Sequence, residues 1–122
     1  ISGGKSTGAQ SRSLDLDIEH YAFQITNKEL YLKGLQDKLK INKDETAFIG
    51  DDLNDLVVKE RVGIFFCPRD GHFLVRKNAD IKLKKKGGEG CVREVSDLIF
   101  RAKNSEWMNK KLLENIKKTL VA

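Results

Sequence analysis

Phe48-Ile49-Gly50-Asp51-Asp52-Leu53-Asn54-Asp55 decides how this chain is read: an apolar run ends in a glycine, and three carboxylates then fall within five residues. Carboxylates so crowded repel one another unless something positive sits among them, so a bound cation is one reading. Thr46-Ala47-Phe48-Ile49 reads as a short buried strand and Leu56-Val57-Val58 as the opening of a helix, placing the acidic loop at the carboxyl end of a strand. Ligands of open α/β sheets bind at that edge, and oxygen-only donors suit a hard cation, Mg2+ above all. The other reading is an Asp-rich turn that caps the following helix, because Asp is a favoured N-cap. The stretch by itself leaves both open.

Working outward toward the start, His20-Tyr21-Ala22-Phe23-Gln24-Ile25 alternates β-prone residues and predicts a short strand. Thr26 or Asn27 can then cap a helix whose apolar face runs Leu32, Leu35, Leu39, with Lys28 at the strand-to-helix junction. A lysine there can point at a phosphate on the same sheet edge as the acidic loop, or lie solvated in the first turn. A helix is expected from about Lys5 to Leu16. Ile1-Ser2-Gly3-Gly4-Lys5-Ser6 lacks the GxxxxGK[ST] spacing of a nucleotide loop. Its backbone N–H groups and Ser hydroxyl can hold one phosphate, or serve as a plain Gly-rich connector.

Toward the end, Val62-Gly63-Ile64-Phe65-Phe66-Cys67 is a continuous apolar run of the kind buried on both faces, and Pro68 ends it. Asp70-Gly71-His72 reads as a loop with His72 a surface residue, Phe73-Leu74-Val75 as a helical turn and Ala79-Asp80-Ile81 as the start of a last strand. Gly87-Gly88-Glu89-Gly90 breaks the chain before a helix with apolar positions Val92, Val95, Leu98, Ile99 and Ala102. Residues 103–122 outline a terminal amphipathic helix through Trp107, Leu112, Leu113, Ile116 and Leu120. The alternation of β and α elements predicts an α/β domain, a Rossmann-like parallel sheet flanked by helices.

A chain of 122 residues with 39% apolar content makes one domain. It holds no apolar run near the length of a membrane span, and it is expected to be soluble and cytoplasmic. Cys67 and Cys91 lie far apart without CxxC or a Cys/His cluster, which predicts two reduced thiols. The net charge of +5 and the run Lys82-Leu83-Lys84-Lys85-Lys86 raise the question of nucleic acid. No aromatic residues interleave with the lysines, so a solvated face or attraction of a small anionic substrate is the better account.

Three separated signals fall in order: Ser2-Gly3, Lys28, and Gly50-Asp51-Asp52-Leu53-Asn54-Asp55. Together they resemble motifs two, three and four of the haloacid dehalogenase (HAD) superfamily. Arg61-Val62-Gly63-Ile64, Asn78-Ala79-Asp80 and Gly87-Gly88-Glu89-Gly90-Cys91-Val92-Arg93-Glu94 are similar to its capless branch, which contains 3-deoxy-manno-octulosonate 8-phosphate phosphatases and their nine-carbon sugar-acid 9-phosphate relatives. The resemblance covers nearly all of the chain up to about Ala102.

The resemblance implies a Mg2+-dependent phosphomonoester hydrolase working through an aspartyl-phosphate. By motif match Asp51 is a metal ligand with Asp52 beside it, and Asp55 tunes the metal shell or holds Lys28. Ser2 with the Gly3 amide binds phosphoryl oxygens, and Lys28 neutralises charge on the phosphate. Arg12, Arg93 and the Lys82–Lys86 cluster are candidates for pairing with a sugar-acid carboxylate, whereas Glu89 in the substrate loop would weaken that recognition and tilts the expectation toward a nine-carbon acid or another sugar phosphate. Glu89 stands where many octulosonate phosphatases carry arginine. The family's first motif, a DxDG-type segment carrying the nucleophile, has no counterpart here, since Asp15 and Asp17 fall after motif two without a buried strand ahead of them. The chain is therefore expected to be the C-terminal portion of a longer family domain, missing its first strand and inactive alone. The resemblance also implies a homotetramer whose neighbours roof the open site. The alternative function is a non-catalytic HAD-like oligomerisation domain, as attached to some sialic-acid cytidylyltransferases.

Overall fold

A computed structural model describes residues 1, 19, 20, 22 and 24–104. The helix expected from about Lys5 to Leu16 and the terminal segment beyond residue 104 lie outside them. Helix α1 spans Lys28–Leu39, strand β1 Ala47–Ile49, and a 3-10 helix Leu53–Arg61. Strand β2 spans Ile64–Cys67, helix α2 Phe73–Asn78, strand β3 Ile81–Lys82 and helix α3 Cys91–Asn104. The strands lie in the order β1-β2-β3 and pair in parallel, Phe48 opposite Phe65 and Phe66 opposite Ile81. The expected parallel α/β architecture is present.

Successive strand side chains point to opposite faces, and here both faces are covered. Ala47, Ile64, Phe66 and Leu83 pack with Cys91, Val95, Ile99 and Ala102 of α3. Phe65 and Cys67 turn the other way, into a layer with Leu32 of α1, Val58 of the 3-10 helix and Val75 of α2. All four residues of β2 are buried, as its unbroken apolar run requires.

Four expectations change. Residues 20–25 form no strand among the described residues; Gln24 has φ of 58°, a left-handed conformation that an extended strand cannot accommodate. On α1 the buried positions are Leu32 and Gln36, with Leu35 and Leu39 only half-buried. Gln36 is tolerated inside because its amide donates to Thr46 Oγ1 and to the Arg61 carbonyl, both at 2.9 Å. The core stripe of α3 begins at Cys91 rather than at Val92, which is 60% exposed. Residues 103–104 continue α3 instead of opening a separate helix.

Candidate active site

Strand β1 delivers its chain to the sheet's carboxyl edge through Gly50. The Gly50 N–H donates to the Phe66 carbonyl at 3.0 Å, extending the parallel ladder by one bond. A Cβ at Gly50 would lie 2.7 Å from both Asp55 Cβ and Phe65 Cζ, so only glycine lets the loop fold this tightly against β2. The chain then turns into the 3-10 helix with Asp52 as its N-cap, and the Asp52 carboxylate accepts from Leu53 N–H at 2.7 Å. Asp55 closes a capping box with Asp52, each side chain accepting from the other's backbone.

Asp55 is only 3% exposed, and both of its carboxylate oxygens are engaged. Its Oδ2 accepts from the N–H groups of Asp51 and Asp52 at 3.0 and 3.1 Å. Its Oδ1 accepts from Lys28 Nζ at 2.5 Å. Lys28 opens α1, whose cap is Asn27, with the Asn27 side chain accepting from Leu30 N–H. The Lys28 side chain is 12% exposed, so its ammonium is nearly dry and held by a single carboxylate among the described residues.

Asp51 differs from its two neighbours in leaving its carboxylate open. The residue is exposed, and among the described residues its carboxylate meets only its own backbone N–H. Partial burial and the charges of Asp55 and Asp52 raise its pKa, against the pull of its own N–H and Lys28. That surplus of negative charge on an oxygen-only donor fits a divalent cation, which would relieve it. The described residues contain no group of three or more His, Cys, Asp or Glu able to hold a metal by themselves, so Asp51 fits as one ligand of a shell completed elsewhere. The three carboxylates thus differ in surroundings: Asp52 caps the 3-10 helix, Asp55 holds Lys28, and Asp51 is exposed.

The neighbouring strand ends are tied to this loop. Gly71 packs on Asp51, where an added Cβ would come within 3.5 Å of Asp51 Cα and 2.3 Å of Cys67 Sγ. His72 N–H donates to the Asp51 carbonyl at 2.8 Å, while its ring caps α2 by accepting from Leu74 N–H at 3.2 Å. Half-buried and engaged as a cap, His72 is not the free surface residue expected. Arg76 Nη1 donates to the carbonyls of Pro68 and Leu83 at 2.6 and 3.3 Å, joining the ends of β2 and β3. Cys67 and Cys91 are both free and buried.

Of the expected site residues, Lys28, Asp51, Asp52 and Asp55 come together. Glu89 and Arg93 stand two strands away at the start of α3, both exposed, with Arg93 Nε on Asp97 Oδ1 at 3.2 Å. Ser2, Gly3 and Arg12 lie outside the described residues. Gly71 and Arg76 were missed as site-building residues; the partners of Arg76, Pro68 and Leu83, lie on other elements, and only Gly71, beside Asp70 in a turn, carried a local signal.

The chain matches the family model of haloacid dehalogenase-like hydrolases over residues 16–95. It is 37% identical over 102 residues to 3-deoxy-D-manno-octulosonate 8-phosphate phosphatase KdsC of Escherichia coli, covering 84% of this chain and 54% of that protein. Among solved structures, the Moraxella catarrhalis phosphatase in complex with magnesium ion, phosphate ion and KDO superposes with a TM-score of 0.80 at 36% identity, over 85% of this chain and 60% of that one. The cobalt-bound Haemophilus influenzae phosphatase gives a TM-score of 0.79 at 31% identity, over 84% and 60%. The chain spans about half the length of the curated relatives it matches, 54% of the Escherichia coli protein.

Proposed function

Because the chain belongs to the haloacid dehalogenase-like hydrolase family, we propose that it forms the metal-holding and charge-neutralising part of a phosphatase for a phosphorylated 2-keto-3-deoxy sugar acid. Octulosonate 8-phosphate is the first candidate, with nonulosonate 9-phosphate beside it, since the relatives it matches are named for the former. The observation that carries the proposal is the division of labour at Gly50–Asp55: a buried carboxylate holding a lysine beside an exposed carboxylate that, among the described residues, bonds only its own backbone N–H.

Each residue then has a task set by its surroundings. Lys28 has three ammonium donors and spends one on Asp55, leaving two for phosphoryl oxygens. Asp55 fixes the direction of that ammonium without meeting the substrate, so the positive charge is in place before charge builds on the phosphate. Asp51, with Asp52 beside it, would hold Mg2+. Bound there, the ion supplies Lewis-acid polarisation of a phosphoryl oxygen. Ser2 and the Gly3 amide bind the remaining phosphoryl oxygens, and Arg12, Glu89 and Arg93 border the sugar-acid end. The nucleophilic aspartate comes from residues outside this chain. A cytoplasmic homotetramer, with neighbouring subunits roofing the site, completes the proposal.

The test is release of inorganic phosphate by the full-length protein from octulosonate 8-phosphate and nonulosonate 9-phosphate. Activity should require Mg2+, vanish with EDTA and fall about a hundredfold or more in Asp51→Asn, the scale of losing one positioned charge. Activity indifferent to EDTA, or intact in Asp51→Asn, would remove the metal assignment. A protein that hydrolyses neither substrate but still assembles into a stable oligomer would instead fit the non-catalytic alternative.

A further inference from the structure

A phosphorylated sugar acid presents two anionic groups, and the Lys28–Asp51 cluster answers to the phosphate alone. Resting on the substrate class proposed above, we infer that the loop Lys84-Lys85-Lys86 determines specificity by binding the second anion, the carboxylate.

Among the described residues, the other two candidates are disfavoured by their chemistry and partners. Arg93 is paired along its own helix with Asp97 at 3.2 Å, and Glu89 is itself an anion. The lysine loop is different because its backbone is fastened along its length. Leu83 N–H continues the ladder to the Cys67 carbonyl at 2.8 Å. The Glu94 carboxylate takes Lys84 N–H on both oxygens, at 2.9 and 3.0 Å, and Lys85 N–H at 2.8 Å. The Lys85 carbonyl accepts from Arg69 N–H at 2.9 Å, and Gly87 N–H donates to Asp70 at 2.7 Å. A merely solvated lysine run needs no such bracing. A loop fixed in advance loses less entropy when it takes a ligand.

The braces engage two of the three nearest acids and leave Glu89 exposed. Glu94 and Asp70 are committed to backbone N–H groups, and among the described residues no carboxylate pairs with the side chains of Lys84, Lys85, Lys86 or Arg69. Like charges in sequence repel, so an arriving anion gains from all of them. Placement agrees with this. The loop leaves β3, two strands from β1, so with sheet spacing near 4.8 Å it stands about 10 Å from the Asp51 end of the edge. The Asp70-Gly71-His72 turn connects them, bonded to Gly87 at one end and to Asp51 at the other. A sugar acid phosphorylated at the end remote from its carboxylate places its two charges in that manner.

The full-length protein, unaltered and as K84A/K85A/K86A, should be assayed on both sugar-acid phosphates and on p-nitrophenyl phosphate, which lacks a carboxylate. In the variant, KM for the acid should rise about tenfold, the scale of one lost charged hydrogen bond, with kcat within about twofold and p-nitrophenyl phosphate hydrolysis unchanged. Glu94→Ala, which frees the loop, should show the same split, and Glu94→Gln, which keeps an acceptor oxygen, should largely restore it. Equal losses on both substrate types, or an unchanged KM for the acid, would overturn the lysine assignment while leaving the phosphatase proposal standing. An unaltered protein that hydrolyses p-nitrophenyl phosphate but neither acid would overturn the substrate class and this inference together.

Discussion

Breaking the Lys28–Asp55 pair one side at a time should cost more than replacing both partners. At 2.5 Å and an effective dielectric near 20, the two charges attract by about 7 kcal/mol. With side chains only 12% and 4% exposed, most of that attraction is offset by the several kcal/mol needed to dehydrate each ion. The net contribution of the intact pair is therefore small, but each half is costly when stranded. Asp55→Asn leaves the Lys28 ammonium buried without a counter-charge and should lose about 3 to 5 kcal/mol. Lys28→Met keeps the aliphatic stem packed and leaves Asp55 its bonds from the Asp51 and Asp52 N–H groups, so its loss should sit near the lower end, about 3 kcal/mol.

In the double variant the amide oxygen at position 55 can still accept those two N–H groups and no buried charge remains. Its loss should be about 1 to 2 kcal/mol, a coupling of at least roughly 3 kcal/mol between the two sites. The measurement is urea unfolding of the full-length protein and the three variants followed by circular dichroism, with a common slope against denaturant. Single losses that simply add in the double variant, to within about 0.5 kcal/mol, would refute the claim that the pair is buried and mutually dependent.

Two other outcomes test the neighbouring strand end. Gly71→Ala would set a Cβ 2.3 Å from Cys67 Sγ and should destabilise by about 1 to 3 kcal/mol, with Cys67→Ala in the same chain recovering part of it; a neutral Gly71→Ala in thermal melts would mean that the turn is looser than described. Burial first, and then Asp51, Asp55 and Asp70, push the Cys67 thiol above its usual 9.0, against the pull of Arg76. As pH rises through 9.0 the unfolded thiol loses its proton before the folded one, so the native state should lose stability there. Urea midpoints from pH 8 to 10 should fall more steeply for the unaltered protein than for Cys67→Ala, and parallel curves would contradict the buried thiol.

Local chemistry carried much of this protein in legible form. The short apolar run Ala47–Ile49 and the unbroken run at Ile64–Cys67 specify strands, and Pro68 and Gly87–Gly90 stop the elements they follow. The motif resemblance already put Lys28 with the Gly50–Asp55 carboxylates, although the strand expected at residues 20–25 ahead of Lys28 is absent among the described residues. Where the sequence misled, a contact distant along the chain decided the outcome. Gln36 lies inside because Thr46 and Arg61 receive its amide. Similarly, Cys91 starts the core stripe of α3 because the sheet face bearing Ile64 and Phe66 meets it there. Three aspartates within five residues are chemically interchangeable in the sequence. The motif resemblance gives them different roles, and the tertiary structure supplies the physical difference: Lys28, 27 residues away, pairs with buried Asp55, the helix start engages Asp52, and Asp51 stays exposed.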